Sequence, residues 1–338
     1  MDFFNGEKNL VMIKAFVFGK FLPFHKGHEA MIKFALTKCN FLTVLICCSD
    51  KETVSGIIRK KWIEETFKGQ KNIEVREFNY TESQLPNTSK SSLVVSKIWS
   101  KSFKQEFPDY SLVITSEKYG DYVAEFMGIQ HILFDIQRNT YQISATAIRN
   151  NLFLNWQFLP NRVKVDYAKK IVILGTESTG KTVLSNKLAA HFNCSLVSEA
   201  GREIISNSNS FNYSDLLLVA KEHSKQIQNA LTGDSPLIII DTDIHITKSY
   251  SKFIFKKELE VSKEIYNSNQ ANLYLYLNND VEYEQDGTRL SKENRDLLDK
   301  SHRNILEEHK IKFVEIKGNW VQRFAIAVNE IEKLISVK

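Results

Sequence analysis

Continuous runs of aliphatic and aromatic residues recur along the chain and alternate with longer stretches of helical character. Two of these runs open segments of the same kind, KAFVFGKFLPFHKGHEAMIKFAL at 14–36 and KKIVILGTESTGKTVLSNKLAAHF at 169–192. In each segment a short apolar run enters a glycine-containing loop that begins a helix. A run without polar alternation is typical of a parallel strand buried on both faces. Each segment therefore predicts the first βα unit of a doubly wound domain.

Further strand candidates follow both segments, with helical stretches between them. They lie at 41–47, 72–78 and 111–115 in the first half, and at 195–200, 236–241, 272–277 and 312–317 in the second half. Such alternation favours parallel sheets joined by right-handed crossovers. We predict an α/β protein with two doubly wound parallel-sheet domains, 1–160 and 161–338. The boundary is expected near 158–167, where Pro160 and a polar stretch interrupt the pattern.

Length and composition agree with two ordinary globular domains. The 338 residues are about twice the usual domain size, and 43% hydrophobic with 25% charged residues excludes a disordered or fibrous chain. No apolar run approaches the roughly 18 to 20 residues of a membrane span, and the N-terminus has no signal-peptide pattern. A cytoplasmic protein is expected. The four cysteines, Cys39, Cys47, Cys48 and Cys194, have neither metal-site nor disulfide-scaffold spacing.

The net charge of +5 does not predict a nucleic-acid partner, because the lysines are scattered and basic clusters such as 59–61 are short. A solvated surface explains them. The sequence leaves the oligomeric state open, and a homo-oligomer is compatible with it.

The second half contains a complete phosphate-binding motif, G-x-x-x-x-G-K-[ST], formed by Gly175, Gly180, Lys181 and Thr182. It lies between a predicted strand and a predicted helix, which is the context the motif requires. The loop amides and helix N-terminus would hold phosphate oxygens, Lys181 would reach the β- and γ-phosphates of ATP, and Thr182 would bind Mg²⁺. The alternative is a glycine-rich turn with a surface lysine.

Acidic residues near this loop are candidates for the metal and the acceptor. Asp241 ends a strand of four aliphatic residues, where the ligand crevice of a parallel sheet opens, and Asp243 follows two residues later. Either could instead cap the next turn. Glu199 and Arg202 would face the same crevice and hold the acceptor, or form a surface ion pair. The general base of a kinase stays open among Asp241, Asp243 and Glu199.

The polar stretch 285–298 carries Arg289 and Arg295. Such a stretch is typical of the arginine-bearing lid of small kinases, although an exposed helix would look similar. An N/T-K-x-D motif for guanine is absent after the fourth strand, which disfavours a GTPase.

The first half has a loop of another kind, GKFLPFHKGH, in which His25 and His28 flank Gly27 at a helix start. Both imidazoles could reach one ligand placed over the helix amides. Zinc is a weaker alternative, because no third ligand is near in sequence. Later in the chain, Ser144, Thr146 and Arg149 form S-x-T-x-x-R, a helix cap with one guanidinium. Together the two motifs could clamp the phosphates of ATP.

HxGH followed by SxTxxR is the signature of the nucleotidylyltransferase superfamily. Joined to a P-loop domain with the segments EAGRE and DTD, the chain resembles the bifunctional NadR family from about Lys14 onward. Members pair nicotinamide-mononucleotide (NMN) adenylyltransferase with ribosylnicotinamide kinase. The resemblance implies an N-terminal nucleotidylyltransferase-type Rossmann-like domain and a C-terminal P-loop kinase domain. Its ligands would be ATP with Mg²⁺, nicotinamide riboside, NMN and NAD.

The resemblance also implies roles for individual residues. His25 and His28 would stabilise the α-phosphate, and the remaining ATP contacts would come from Gly19, Lys20, Ser144, Thr146 and Arg149. Arg59 and Trp62 match the family's R-x-x-W, with the ring on the nicotinamide side, and Tyr283 stands where a tryptophan is expected near the lid. FDIQR at 134–138 differs from a more usual acidic-proline version. The helix-turn-helix of some members does not fit before Lys14, so DNA binding is not expected.

Two rival functions stay open. One is the same pair of reactions on another acceptor, such as a phosphopantetheine or another nucleoside. The other is a regulator that binds NAD and ATP without turnover.

Overall fold

The computed structural model describes residues 12–87, 92–205, 211–281 and 291–336. The chain divides into two compact units, residues 1–163 and 164–338. Each unit contains one five-stranded sheet, and the described strand pairings in both sheets are parallel. The α/β, doubly wound prediction is confirmed for both halves.

The sheet of the first unit has the order β3-β2-β1-β4-β5. Its strands are β1 (Lys14–Gly19), β2 (Phe41–Ser49), β3 (Ile73–Tyr80), β4 (Leu112–Thr115) and β5 (Gln130–Leu133). Its helices are α1 (Lys26–Leu36), α2 (Gly56–Thr66), α3 (Leu93–Glu106), α4 (Tyr119–Met127) and α5 (Ala145–Asn150), and a 3-10 turn follows at Trp156–Phe158. The strands predicted from sequence are confirmed. Strand β5 was missed because this four-residue edge strand is only partly buried and begins with a glutamine.

The order of this sheet decides where a ligand can bind. β1 lies between β2 and β4, so the chain connections leave it in opposite directions on its two sides. A crevice opens at the carboxyl end of such a strand. Aromatic packing holds β1 in place, because the Phe16 ring is stacked on the Phe107 ring with 4.3 Å between centroids. The loop GKFLPFHKGH therefore starts from a rigid base at the crevice.

The sheet of the second unit has the order β10-β9-β6-β8-β7. Its strands are β6 (Lys169–Leu174), β7 (Ser195–Val197), β8 (Leu237–Asp241), β9 (Leu273–Leu277) and β10 (Val314–Ile316). Helix α6 (Asn161–Tyr167) spans the boundary between the two units. The helices of the second unit are α7 (Lys181–Phe192), α8 (Gly201–Ile204), α9 (Tyr213–Ala230), α10 (Ile244–Phe255), α11 (Lys263–Asn269), α12 (Lys292–Glu308) and α13 (Trp320–Ser336). All four further strand predictions in this half are confirmed.

β6 is the central strand here, and β8 runs beside it with Ile173 paired to Asp241. Asp241 therefore reaches the carboxyl edge of the sheet next to the loop that follows β6. The core on both sides is aliphatic, and Ile171, Ile173, Leu188 and Ile239 are fully buried. None of the described helices combines the length and the apolar character needed to cross a membrane.

His302 is a buried titratable group in this core. It is 0% exposed, and its Nδ1 lies 2.8 Å from the Ser249 hydroxyl. Burial, with a smaller contribution from the charge of Lys181, lowers the pKa of His302 from 6.5 to about 3. The folded protein therefore keeps this imidazole neutral where the unfolded chain would protonate it.

This pKa shift predicts loss of stability in mild acid. As pH falls below 6.5, the unfolded state takes up a proton that the folded state refuses until about pH 3. His302 alone should then lower the free energy of unfolding by up to about 1.4 kcal/mol per pH unit. We expect His302→Gln to flatten this dependence in urea unfolding of the full chain between pH 7 and 5. The exposed His191→Gln is the control, and equal slopes for His302→Gln and wild type would contradict the prediction.

Candidate active sites

The loop between β6 and α7 has the backbone geometry of a phosphate cradle. Gly175 and Gly180 have φ values of 138° and 85°, which side chains disfavour. The Lys181 amine donates to the Thr176 carbonyl at 3.0 Å, so the lysine folds over its own loop. A cavity of about 590 Å³ opens along this loop. The residues of the sequence motif are therefore assembled around a space large enough for a ligand.

Thr182, which lines this cavity, contacts the buried Asp241 behind it. The Thr182 hydroxyl donates to Asp241 Oδ2 at 2.6 Å, and Asp241 is 2% exposed. Burial raises the pKa of Asp241, and the nearby Lys181 charge opposes this. Its Oδ1 is buried without a hydrogen-bond partner among the described residues. A hydroxyl beside a carboxylate with a spare oxygen suits a magnesium ion, whose preferred ligands are oxygens.

Asp243 has a different role from the one predicted. It is the N-cap of α10, where its Oδ1 accepts from the amides of His245 at 3.0 Å and Ile246 at 3.3 Å. Its Oδ2 lies 2.5 Å from His245 Nδ1, and the residue is 0% exposed. Both oxygens are therefore occupied. The capping alternative is the correct one, and Asp243 is neither a substrate ligand nor a general base.

Glu199 and Arg202 line the wall of the same cavity, as predicted. They also form the alternative ion pair, with Arg202 Nε 3.2 Å from Glu199 Oε2. The Glu199 side chain stays 25% exposed. An ion pair at the cavity wall leaves the carboxylate accessible to an incoming ligand.

Tyr250 and Glu177 are cavity residues that sequence analysis missed. The Tyr250 hydroxyl donates to Glu177 Oε1 at 3.1 Å. Burial, together with the carboxylates of Glu177 and Glu199, raises the pKa of Tyr250, so its phenol stays protonated. Glu177 lies inside the P-loop motif, so its place near the site could be predicted from sequence. Tyr250 lies in an amphipathic helix, and nothing in that pattern indicates that its side chain points into a site.

The predicted lid is only partly described. Tyr283 and Arg289 lie outside the described residues. Arg295 is in the first turn of α12, is 3% exposed, and donates from Nη2 to the Asn279 carbonyl at 3.5 Å. It does not line the 590 Å³ cavity. Arg295 is thus a buried residue on a helix whose neighbouring residues 291–294, 296 and 297 are exposed, as the exposed-helix alternative expects. Its predicted phosphate-binding role stays a prediction.

In the first unit, His25 and His28 form a stacked pair at the start of α1. Their ring centroids are 3.6 Å apart, and His25 Nδ1 accepts from the His28 amide at 3.4 Å. A Cβ on Gly27 would lie 3.1 Å from the His25 ring, so the glycine makes room for the stack. Burial lowers the pKa of His25 to about 3 and that of His28 well below its usual value. With Nδ1 accepting, the neutral His25 ring carries its proton on Nε2.

The second motif lies against the first, as predicted. Ser144 caps α5 by accepting from the Ala147 amide at 3.1 Å. Arg149 donates to the Thr146 hydroxyl at 3.0 Å and also to the Leu22 carbonyl. Gly19, Lys20 and both histidines share with these residues one cavity of about 300 Å³. Basic and hydroxyl groups from distant parts of the chain therefore surround a single pocket.

Arg138 is a further cation at this cavity, and sequence analysis did not assign it. It pairs with Glu117 at 3.1 Å, and its charge contributes to the lowered pKa of His25 and His28. The Asp135 carboxylate accepts from the amides of Asn139 and Thr140 at 2.7 and 2.8 Å and so shapes the loop. Ile136, at the centre of FDIQR, is 41% exposed.

Arg59 and Trp62 are buried away from the described cavities. Arg59 is 1% exposed, pairs with Glu52 at 2.7 Å, and donates to the carbonyls of Lys20 at 2.7 Å and Cys47 at 3.3 Å. The Trp62 ring is also 1% exposed. The predicted substrate contacts are therefore corrected: Arg59 positions the loop that carries Lys20, and Trp62 belongs to the interior.

A second cavity of about 240 Å³ shares Phe18, Gly19, Lys20 and Tyr119 with the histidine cavity. The rest of its wall includes two aromatic rings, Tyr80 and Trp99, whose centroids are 4.8 Å apart, and we call it the aromatic cavity. Hydrogen bonds fix both rings, from Trp99 Nε1 to the Pro86 carbonyl at 3.0 Å and from the Tyr80 hydroxyl to Asn87 at 2.8 Å. In sequence, Trp99 cannot be distinguished from an ordinary core residue of an amphipathic helix.

The described residues contain no cluster of three or more His, Cys, Asp or Glu side chains that could hold a metal ion. The zinc alternative for His25 and His28 therefore gains no third ligand within the described parts of the chain.

Two family models match the chain, "Cytidylyltransferase-like" over residues 16–151 and "AAA domain" over residues 170–323. The trifunctional NAD biosynthesis/regulator protein NadR of Salmonella typhimurium is 28% identical over 362 residues, covering 99% of this chain and 85% of that protein. The NadR protein of Escherichia coli K12 is 29% identical over 350 residues, covering 94% and 82%. A crystal structure of a NadR protein in complex with NR superimposes with a TM-score of 0.66 at 20% identity, and 97% of each chain is covered. A second, with NAD and AMP-PNP, gives a TM-score of 0.64.

Proposed function

We propose that this chain, which is a NadR-like protein, makes NAD in two ATP-dependent steps. The second unit phosphorylates the 5′-hydroxyl of nicotinamide riboside to NMN. The first unit transfers the adenylyl group of ATP to NMN, giving NAD and pyrophosphate. The observation that carries the proposal is the presence of two cavities, one in each unit, each at the carboxyl end of a central strand and each lined by a different set of hydrogen-bond donors.

In the kinase step the P-loop amides and Lys181 bind the triphosphate. Thr182 and Asp241 would hold Mg²⁺, which supplies positive charge against the β- and γ-phosphates when it is bound. Asp241 would be engaged by Mg²⁺ and Thr182, Asp243 is a helix cap, and Glu177 accepts a hydrogen bond from Tyr250. Glu199 is then the carboxylate left at the cavity wall to orient the acceptor hydroxyl. We assign it that role.

In the adenylyl step an oxygen of the NMN phosphate forms a bond to the α-phosphorus of ATP, and the bond to the pyrophosphate oxygen breaks. The neutral His25 and His28 rings donate N–H groups to the charge that develops on the α-phosphate. Lys20, Thr146, Arg149 and Arg138 surround the rest of the triphosphate. Positioning and charge neutralisation suffice, so no covalent intermediate is required.

The aromatic cavity beside this site suits the flat nicotinamide ring of NMN. It adjoins the histidine cavity at Lys20 and offers the Trp99 and Tyr80 rings together with Asn87 and Ser92. We assign it as the acceptor subsite of the adenylyltransferase.

Trp99→Ala should raise the KM for NMN about tenfold, because stacking of a base on an aromatic side chain is worth about 1–3 kcal/mol. Trp99→Phe should retain most of this affinity. The KM for ATP, measured on the same preparations, should stay within about twofold of wild type. Since Trp99 is 8% exposed and packs in the core, thermal unfolding of each variant must be recorded. An equal rise of the KM for NMN and the KM for ATP would contradict the assignment of this cavity as the acceptor subsite.

Mass spectrometry of the full chain incubated with nicotinamide riboside and MgATP tests the whole proposal. The expected products are NMN and then NAD. Binding of ATP and NAD without any turnover would favour the regulator. Turnover that requires another nucleoside or a phosphopantetheine in place of the riboside would favour the alternative acceptor, and a thermal-shift screen of these compounds identifies it.

A further inference from the structure

Trp320, the first residue of α13, lies beside the P-loop. A Cβ placed on Gly180 would collide with ring carbons Cη2 and Cζ3 of Trp320, while Cζ2 would lie 3.6 Å away. Because these two closest carbons are bonded to each other, it is the edge of the six-membered ring that contacts Gly180. The absence of a side chain at Gly180 therefore allows the indole to come directly against the phosphate-binding loop.

Arg323 lies over the Trp320 ring, with its guanidinium carbon 5.4 Å from the ring centroid. Arg323 is 0% exposed and donates to the carbonyls of Thr179, Asn278 and Gly318, each at 2.9 Å. It also pairs with Asp280. The indole is thus backed by a side chain that is anchored to both the P-loop and the end of β9. Such a ring is held rigidly.

Trp320 differs from the other tryptophans in its exposure. It is 48% exposed, whereas Trp62, Trp99 and Trp156 are 1%, 8% and 1% exposed. Its described contacts occupy one edge and one face of the ring. Val183 on α7, which lines the 590 Å³ cavity, is also 53% exposed. A fixed apolar surface is therefore open to solvent at the rim of the phosphate site.

We propose that Trp320 is the platform on which the base of the kinase's nucleoside triphosphate stacks. The inference rests on the proposed kinase function. The loop amides converge on the phosphates, so the attached nucleoside must leave the loop at its rim, where the Trp320 ring lies. Stacking uses the face of a base and not its hydrogen-bonding edge. The kinase should consequently prefer purine over pyrimidine triphosphates, because purines offer the larger face, and should discriminate little between ATP and GTP.

Tryptophan fluorescence gives a direct test in the full chain. Acrylamide should quench mainly Trp320, and this component should disappear in Trp320→Phe. A non-hydrolysable ATP analogue with Mg²⁺ should protect Trp320 from the quencher, whereas inorganic tripolyphosphate, which has no base, should not. Equal protection by the two ligands, or protection by neither, would overturn the proposal.

Kinetics give the second test. Trp320→Ala should raise the KM for ATP in riboside phosphorylation by about 5- to 100-fold, and Trp320→Phe by much less. Val321→Ala, at a neighbouring residue that is 78% exposed, is the matched control. Adenylyl transfer from ATP to supplied NMN should be unaffected in all three variants.

An unchanged KM in Trp320→Ala would overturn the inference. So would equal weakening of ATP and tripolyphosphate binding, because that result means the indole only supports the loop. A wild-type chain that does not phosphorylate the riboside would instead contradict the proposed function, and the quenching experiment would still decide the role of Trp320.

Discussion

Lys181→Ala is expected to abolish phosphorylation of nicotinamide riboside while conversion of supplied NMN to NAD stays within about twofold of wild type. The Lys181 amine, which now donates to the Thr176 carbonyl, is the cation of the P-loop that can turn to the transferring phosphate. Loss of one such preorganised charge typically costs on the order of a hundredfold or more in rate. The adenylyl step is spared because its donors belong to the other unit.

The two activities should be assayed separately on one preparation, with riboside in one reaction and NMN in the other. Lys187→Ala, an exposed lysine of the same helix α7, controls for the loss of a positive charge. Thr182→Val should reproduce the kinase defect, because it removes the hydroxyl that contacts Asp241. Equal loss of both activities in a folded Lys181→Ala chain would contradict the assignment of separate sites.

His28→Ala is expected to have the reciprocal effect, a loss of about a hundredfold or more in adenylyl transfer with riboside phosphorylation preserved. The substitution removes an N–H donor from the α-phosphate site and also half of the stacked pair that orients His25. His28→Gln should recover part of the rate, because an amide can donate a hydrogen bond in the neutral state that burial imposes on the imidazole.

Lys33→Ala, an exposed position on α1, is the control for this experiment. The readout is NAD formed from NMN and MgATP, together with the melting temperature of each variant. Adenylyl transfer within a few-fold of wild type in His28→Ala would mean that the histidine pair only supports the fold.

Local sequence predicted the parts of the two sites that are themselves local. The P-loop glycines, the histidine pair and the Ser144 cap each depend on residues a few positions apart. Their local geometry could therefore be predicted from the sequence spacing alone. Asp241 could be placed because parallel strands end at one edge of a sheet. The prediction that Arg289 takes part in phosphoryl transfer stays a prediction, because it lies outside the described residues.

Residues whose role depends on packing between distant elements could not be predicted. Trp62 and Trp99 both occur in helices, and only the fold shows that the first is interior while the second lines a cavity. Arg138 enters the histidine cavity through a loop that Asp135 shapes. Asp243 was ambiguous because a carboxylate after a buried strand can bind a ligand or cap the next helix, and nothing in the motif decides between these.

The bond between Arg323 and the Thr179 carbonyl joins residues 144 positions apart. The phosphate-binding loop is consequently not a self-contained eight-residue unit, since part of its shape is maintained from the last helix of the chain. A protein truncated before α13 would keep the complete signature and lose the support beneath it. Among related chains, we expect those that carry the phosphate-binding signature to carry an arginine at the position of Arg323 as well. A chain that has the signature without this arginine must support the loop by other contacts.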